Sequence, residues 1–221
     1  MSIFAFRSLF VFAISASSPV VAKSQENESY SNSVEQEFSQ TANCIVQSNQ
    51  IRPRAFAVAR MTGTTSKDDK SVVDHFIKQI KNVGCFRFSS KAVIFDLSNY
   101  RSALFSALYR TDFGAIPPPK FEGVPELNFH TEYDQNFLWS YEKQIALRKV
   151  GDCIARANPT AAHLFAISLH PDEEQIDPSF RPCLGMRLPP SMTPWRMRGV
   201  VAEAMYKLRI AQTGKFGGAD A

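Results

Sequence analysis

The 221-residue sequence lacks the spacings that hold zinc: there is no Cys-x-x-Cys, no His-Glu-x-x-His, and none of its four histidines lies beside a cysteine pair. It also lacks a Gly-x-Ser-x-Gly elbow, a phosphate-binding loop and a dinucleotide fingerprint, so no catalytic residue and no cofactor or metal is assigned. It has no basic run. The 25 Lys and Arg nearly balance 21 Asp and Glu for a formal charge of +4, which excludes the electrostatic grip that nucleic acid requires. Long hydrophobic runs are absent too. The stretch Ser8 to Ser17 is too short to span a bilayer, and no other stretch is apolar enough, so no transmembrane segment is expected.

What is present starts with an export pattern. Arg7 precedes the apolar stretch, and Val20-Val21-Ala22 offers small residues before the polar Lys23-Ser24-Gln25-Glu26. Residues 1–22 are read as a signal peptide, which places the mature chain in the periplasm or outside the cell. Its removal takes away only Arg7 among charged residues.

Four cysteines follow, an even number in a chain bound for an oxidising compartment, which favours two disulfides over thiols or metal. Internal repetition selects among the three pairings. Cys44 and Cys153 are 109 positions apart, as are Phe56 and Phe165; Arg101 and Arg198, like Tyr109 and Tyr206, are 97 apart. The two cysteines that come later, Cys85 and Cys183, keep the same order. A tandem pair of units therefore predicts Cys44–Cys85 and Cys153–Cys183, one bridge in each.

Helical periodicity dominates both units. Val34, Phe38, Thr41 and Ile45 share one face, after a Ser/Asn/Glu-rich stretch, 25–33, expected to fray. Val72, Val73, Phe76, Ile77, Ile80 and Val83 form an apolar stripe that Gly84 closes. Asp96 caps a helix from Leu97 to Tyr109 or Arg110. The second unit has a long helix carrying Cys153, then Asn158-Pro159 and Thr193-Pro194, each a cap followed by proline. Ala161 to Leu169 and Trp195 to Arg209 are the helices that follow those caps. The organisation is thus 1–22 signal, 23–111 first repeat, 112–133 Pro-rich connector, 134–212 second repeat and 213–221 tail. The fold class is all-α, two related disulfide-stapled helical repeats packed together.

Candidate site residues are few. Arg101 and Arg198 stand at the edge of apolar stripes with Tyr109 and Tyr206 two turns on, a ligand-binding or structural set. The expectation is that the arginine stems lie on the core with their heads in water, and that the tyrosines are half-buried with wet hydroxyls. Glu203 has Ser106 as its counterpart, so paired carboxylates are not supported.

The combination Gly151-Asp152-Cys153, Cys183, and Arg198-Gly199 through Ala202-Glu203-Ala204-Met205-Tyr206 resembles a group of uncharacterised secreted proteins of sphingomonad-type alphaproteobacteria. The first copy departs from that pattern at Asn43, Ser102 and Ser106. The resemblance implies a compartment and a disulfide pattern, and no activity. The expected function is a non-enzymatic envelope protein that binds a protein or small-molecule partner; the competing class is a periplasmic hydrolase with a site between the repeats.

Overall fold

The computed structural model describes residues 20–48, 78, 81–85, 97–118, 120–130, 138–171, 176–185 and 192–213, and no strand occurs among them. Six α-helices are described: α1 Val20–Gln47, α2 Leu97–Phe113, α3 Leu138–Ala157, α4 Pro159–Ile167, α5 Arg181–Leu184 and α6 Pro194–Thr213. A 3-10 turn, Pro178–Phe180, leads into α5. The chain divides into two units between Ser33 and Val34, and α1 contributes to the core described below from Val34 onward.

The helix starts follow their capping chemistry. The Asn158 side chain accepts from the Ala161 N–H, and Pro159 occupies the first turn, where no intrahelical donor is needed. Thr193 does the same for α6 by accepting from the Arg196 N–H. Gly84 adopts φ +71°, the left-handed geometry that closes a helix, one residue before Cys85. The apolar stripe from Val72 to Ile80, Phe56 and the Asp96 cap lie outside the described residues.

α6 is the centre of the fold. It packs against α2, α3 and α4. Every residue of α6 from Met197 to Tyr206 is buried, as is every residue of α2 from Tyr100 to Tyr109. A helix enclosed on all sides has no solvent stripe, so its polar residues must find partners inside. Two glycines set the spacing. A methyl group on Gly199 would stand 2.2 Å from the Ser102 Cβ, and one on Gly151 would stand 2.4 Å from the Val200 carbonyl oxygen. α6 therefore lies against the backbone of α2 on one side and of α3 on the other.

Both disulfides are present, Cys44–Cys85 and Cys153–Cys183, with Cα separations of 5.4 and 5.6 Å. The first ties α1 to the turn after Gly84, the second ties α3 to α5. The connector is bolted down by cations: Arg209 donates to the Ile116 and Pro117 carbonyls, and Arg156 to those of Val124 and Pro125.

Three expectations change. Residues 25–33 are helical, continuing α1 back from its packed end, where adding a turn costs less than starting one. α4 stops at Ile167, because the Ser168 hydroxyl and N–H both turn back to the Phe165 carbonyl. α2 runs on through Thr111 to Phe113, whose ring is buried, so the connector starts later than expected.

Candidate functional site

Arg101 and Arg198 do not keep their heads in water. They are 0 % and 1 % exposed, and what replaces water differs between them. Arg101 grips Glu203 in a two-pronged pair, donating from Nε to Oε2 at 3.1 Å and from its terminal nitrogen to Oε1. Arg148, from α3, stands 3.4 Å from the same carboxylate, and Lys207 donates to it at 2.7 Å from one turn along α6. Glu203 is itself fully buried. Burial alone would raise its pKa; Arg101, Lys207 and Arg148 outweigh that and hold the carboxyl well below its usual range. This carboxylate is a charge hub joining α2, α3 and α6. It cannot act as a general acid near neutral pH, because it never holds a proton there.

The tyrosines are buried, and neither hydroxyl is wet. The Tyr109 hydroxyl lies 2.8 Å from His163 Nδ1, and a backbone bond to Gly114 favours the charged ring without outweighing its burial. Burial pushes the Tyr109 pKa up to about 12, with Arg209 opposing, while burial and Arg209 push His163 below its ordinary value. Both groups are thus held neutral, the reverse of a histidine poised to take a proton from tyrosine. The Tyr206 hydroxyl donates to Asp112 at 2.7 Å.

Arg198 is spent differently. It donates to the carbonyls of Ser168 and Leu169 and lies 4.4 Å over the Trp195 ring. Burial, with Arg110 nearby, lowers its pKa to about 9, Glu35 opposing, so it stays charged at neutral pH. It also borders a small cleft lined by Glu35 and Phe38 of α1, Ser102 and Ala103 of α2, and Trp195 and Arg196 of α6. The cavity measures about 20 Å³. Glu35 is positioned by Thr193, whose hydroxyl donates to Oε1 at 2.7 Å. Three of the residues that line the cleft each carry a buried atom without a hydrogen-bond partner: Glu35 Oε2, Ser102 Oγ and Arg198 Nε. Burial raises the Glu35 pKa against the pull of Thr193, Arg198 and Arg196.

Of the four residues singled out from sequence, Arg101, Tyr109 and Tyr206 each engage another protein group, and only Arg198 reaches a cleft. Sequence reasoning missed Glu203 as a hub and Glu35, Ser102 and Trp195 as cleft residues. A signal existed for Glu203, which sits four residues before Lys207 and is the one charged residue in the run Gly199 to Tyr206. Glu35, on a polar stretch of α1, carried none. No group of three or more His, Cys, Asp or Glu able to hold a metal occurs among the described residues. No family model, curated protein or solved structure matches the chain.

Proposed function

We propose that this is an exported, disulfide-braced helical protein that works by binding a protein or small-molecule partner, at the cleft between α1, α2 and α6, and not by catalysis. The observation that carries the reading is the contrast between its two polar regions. Around Glu203, and around the two tyrosine hydroxyls, protein groups converge on one another: Arg101, Arg148 and Lys207 on the carboxylate, His163 and Asp112 on the tyrosines. At the cleft, Glu35, Ser102 and Arg198 keep buried polar atoms free of protein partners beside an aromatic wall. Unpaired buried polar atoms are costly, and a partner group that satisfies them recovers that cost.

Export is supported by two disulfides within one chain and by the lack, among the described residues, of a helix long and apolar enough to cross a membrane. Descent from a duplicated unit is part of the same proposal. It is supported by the meeting of equivalent positions, Ser102 and Gly199, at the α2–α6 crossing. A second pair of contacts obeys the same 97-residue offset: Tyr206 bonds Asp112, and Tyr109 lies beside Arg209. Such reciprocity is what twofold packing of like elements produces.

The test is affinity capture from envelope extract with tagged full-length protein, followed by mass spectrometry of both proteins and small molecules. A defined species recovered with the wild type and lost with Trp195→Ala, with the variant shown to be folded at the capture temperature, is the expected result. A species recovered equally with both would remove the cleft from the account.

A further inference from the structure

The size and donor pattern of the cleft specify what it takes. We propose that it is a seat for a single hydroxyl-type oxygen, bridging Glu35 Oε2, Ser102 Oγ and Arg198 Nε, and so linking α1, α2 and α6. This rests on the reading of the cleft as a binding site and names the chemistry of its occupant.

Volume decides first. A water-sized group needs about 10–15 Å³, whereas drug-sized ligands occupy clefts of roughly 300–1,000 Å³. The cavity, at about 20 Å³, admits one oxygen with little to spare. Polarity decides next. An apolar cavity stays dry, but this cleft is lined by three residues that each carry a buried polar atom without a hydrogen-bond partner, within the two to four partners that a bound oxygen needs. Two belong to deeply buried residues, Ser102 at 5 % and Arg198 at 1 % exposure.

Charge excludes the alternatives. Arg198 and Arg196 repel a metal cation; an anion would be drawn to them but would meet the Glu35 carboxylate and is larger than one oxygen, whereas a neutral group meets neither penalty. An O–H group has the donor and acceptor complement that these three atoms call for. Its oxygen accepts from Arg198 Nε–H, its hydrogen goes to Glu35 Oε2, and the Ser102 hydroxyl turns to donate or accept as required. The remaining lining, Phe38, Ala103 and Trp195, is apolar, so that on the open side of the cleft it suits the carbon that bears the hydroxyl of an alcohol, the rest of the molecule staying outside.

The oxygen has two sources, solvent water or an alcohol such as a polyol, and the experiment separates them. One arm is a crystal structure of the wild-type protein at about 1.5 Å or better, grown without polyol; the oxygen's contacts fall in the ordinary hydrogen-bond range. The second arm titrates glycerol against Trp139→Phe protein, in which Trp195 is the one remaining tryptophan and its fluorescence the reporter. An ordered oxygen in bonding contact with all three atoms, with no saturable glycerol response, assigns water. A saturable response, weakened about tenfold by Ser102→Ala, assigns an alcohol hydroxyl. The proposal is overturned if no ordered oxygen touches these atoms and glycerol has no saturable effect. The crystallographic arm does not depend on whether any partner is captured from the envelope, so failure here is distinct from failure of the binding reading.

Discussion

Arg101 and Glu203 are 102 residues apart in the chain and form a two-pronged ion pair with both side chains closed to water. Arg148 and Lys207 converge on the same carboxylate, so one negative charge answers three positive ones. The loss of Glu203 and the loss of Arg101 are therefore not equivalent. Glu203→Gln leaves three cations in the core without their counter-charge and is expected to cost about 3–5 kcal/mol. Arg101→Met leaves Glu203 with two cations and costs less. Urea denaturation of both variants measures the order; equal losses would mean that Arg148 and Lys207 contribute nothing.

The same hub has a pH signature. Glu203 is held below its unfolded value of 4.5, so its contribution is complete above that pH and is lost as pH falls through the folded value. Acid titration of stability should therefore steepen below about pH 4.5 in the wild type and flatten in Glu203→Gln.

His163 makes a separate contribution nearer neutrality. Its pKa is lowered below 6.5, which means that the unfolded chain takes up the proton first. Stability due to the neutral ring is complete above about pH 6.5 and is lost as pH falls toward the folded value. Glu35 and Asp152, raised by burial, act with the opposite sign, so the comparison must be between variants. His163→Gln can still accept from Tyr109 and donate to Gly114. The difference in melting temperature between wild type and this variant should shrink as pH is lowered from about 7 to 5; a constant difference contradicts the assignment.

Gly199 and Gly151 predict an inversion of helix propensity. Alanine in a helix interior is normally better than glycine by about 1 kcal/mol. Here a methyl group meets Ser102 or the Val200 carbonyl well inside contact distance, so α6 must move away from α2 or α3. Gly199→Ala and Gly151→Ala should each destabilise by about 1–3 kcal/mol, the usual range for overpacking. Thermal unfolding checks this, and stabilisation by either change would show that the crossings are looser than described.

Each disulfide closes a long loop, 41 residues for Cys44–Cys85 and 30 for Cys153–Cys183. Chain-entropy arguments give about 4 kcal/mol apiece. Replacing either pair by alanine should lower the urea midpoint by a similar amount, and full reduction should lower it by more than either replacement.

The legible parts of this fold were those governed by local chemistry. Asn158-Pro159 and Thr193-Pro194 announced helix starts because capping acts over three residues, and Gly84 announced an end. Both expected cysteine pairings, Cys44–Cys85 and Cys153–Cys183, are present. What failed were inferences about environment. Amphipathic reasoning placed the heads of Arg101 and Arg198 in water because it assumes that a helix has an outside. α2 and α6 have none over ten residues each. Whether an arginine is solvated or paired then depends on a partner a hundred residues away, which no local pattern encodes. The cleft was illegible for the same reason, since Glu35, Ser102 and Arg198 meet only through tertiary packing.

The account assigns the deep charges to folding and the cleft to binding, and one crossed comparison tests that division. Species captured from envelope extract would be quantified by mass spectrometry for Arg101→Met and for Trp195→Ala, both held below their melting temperatures. The division predicts that Arg101→Met unfolds more easily yet retains the captured species, while Trp195→Ala, folded at the capture temperature, loses it. Loss with folded Arg101→Met, together with retention by Trp195→Ala, would contradict it.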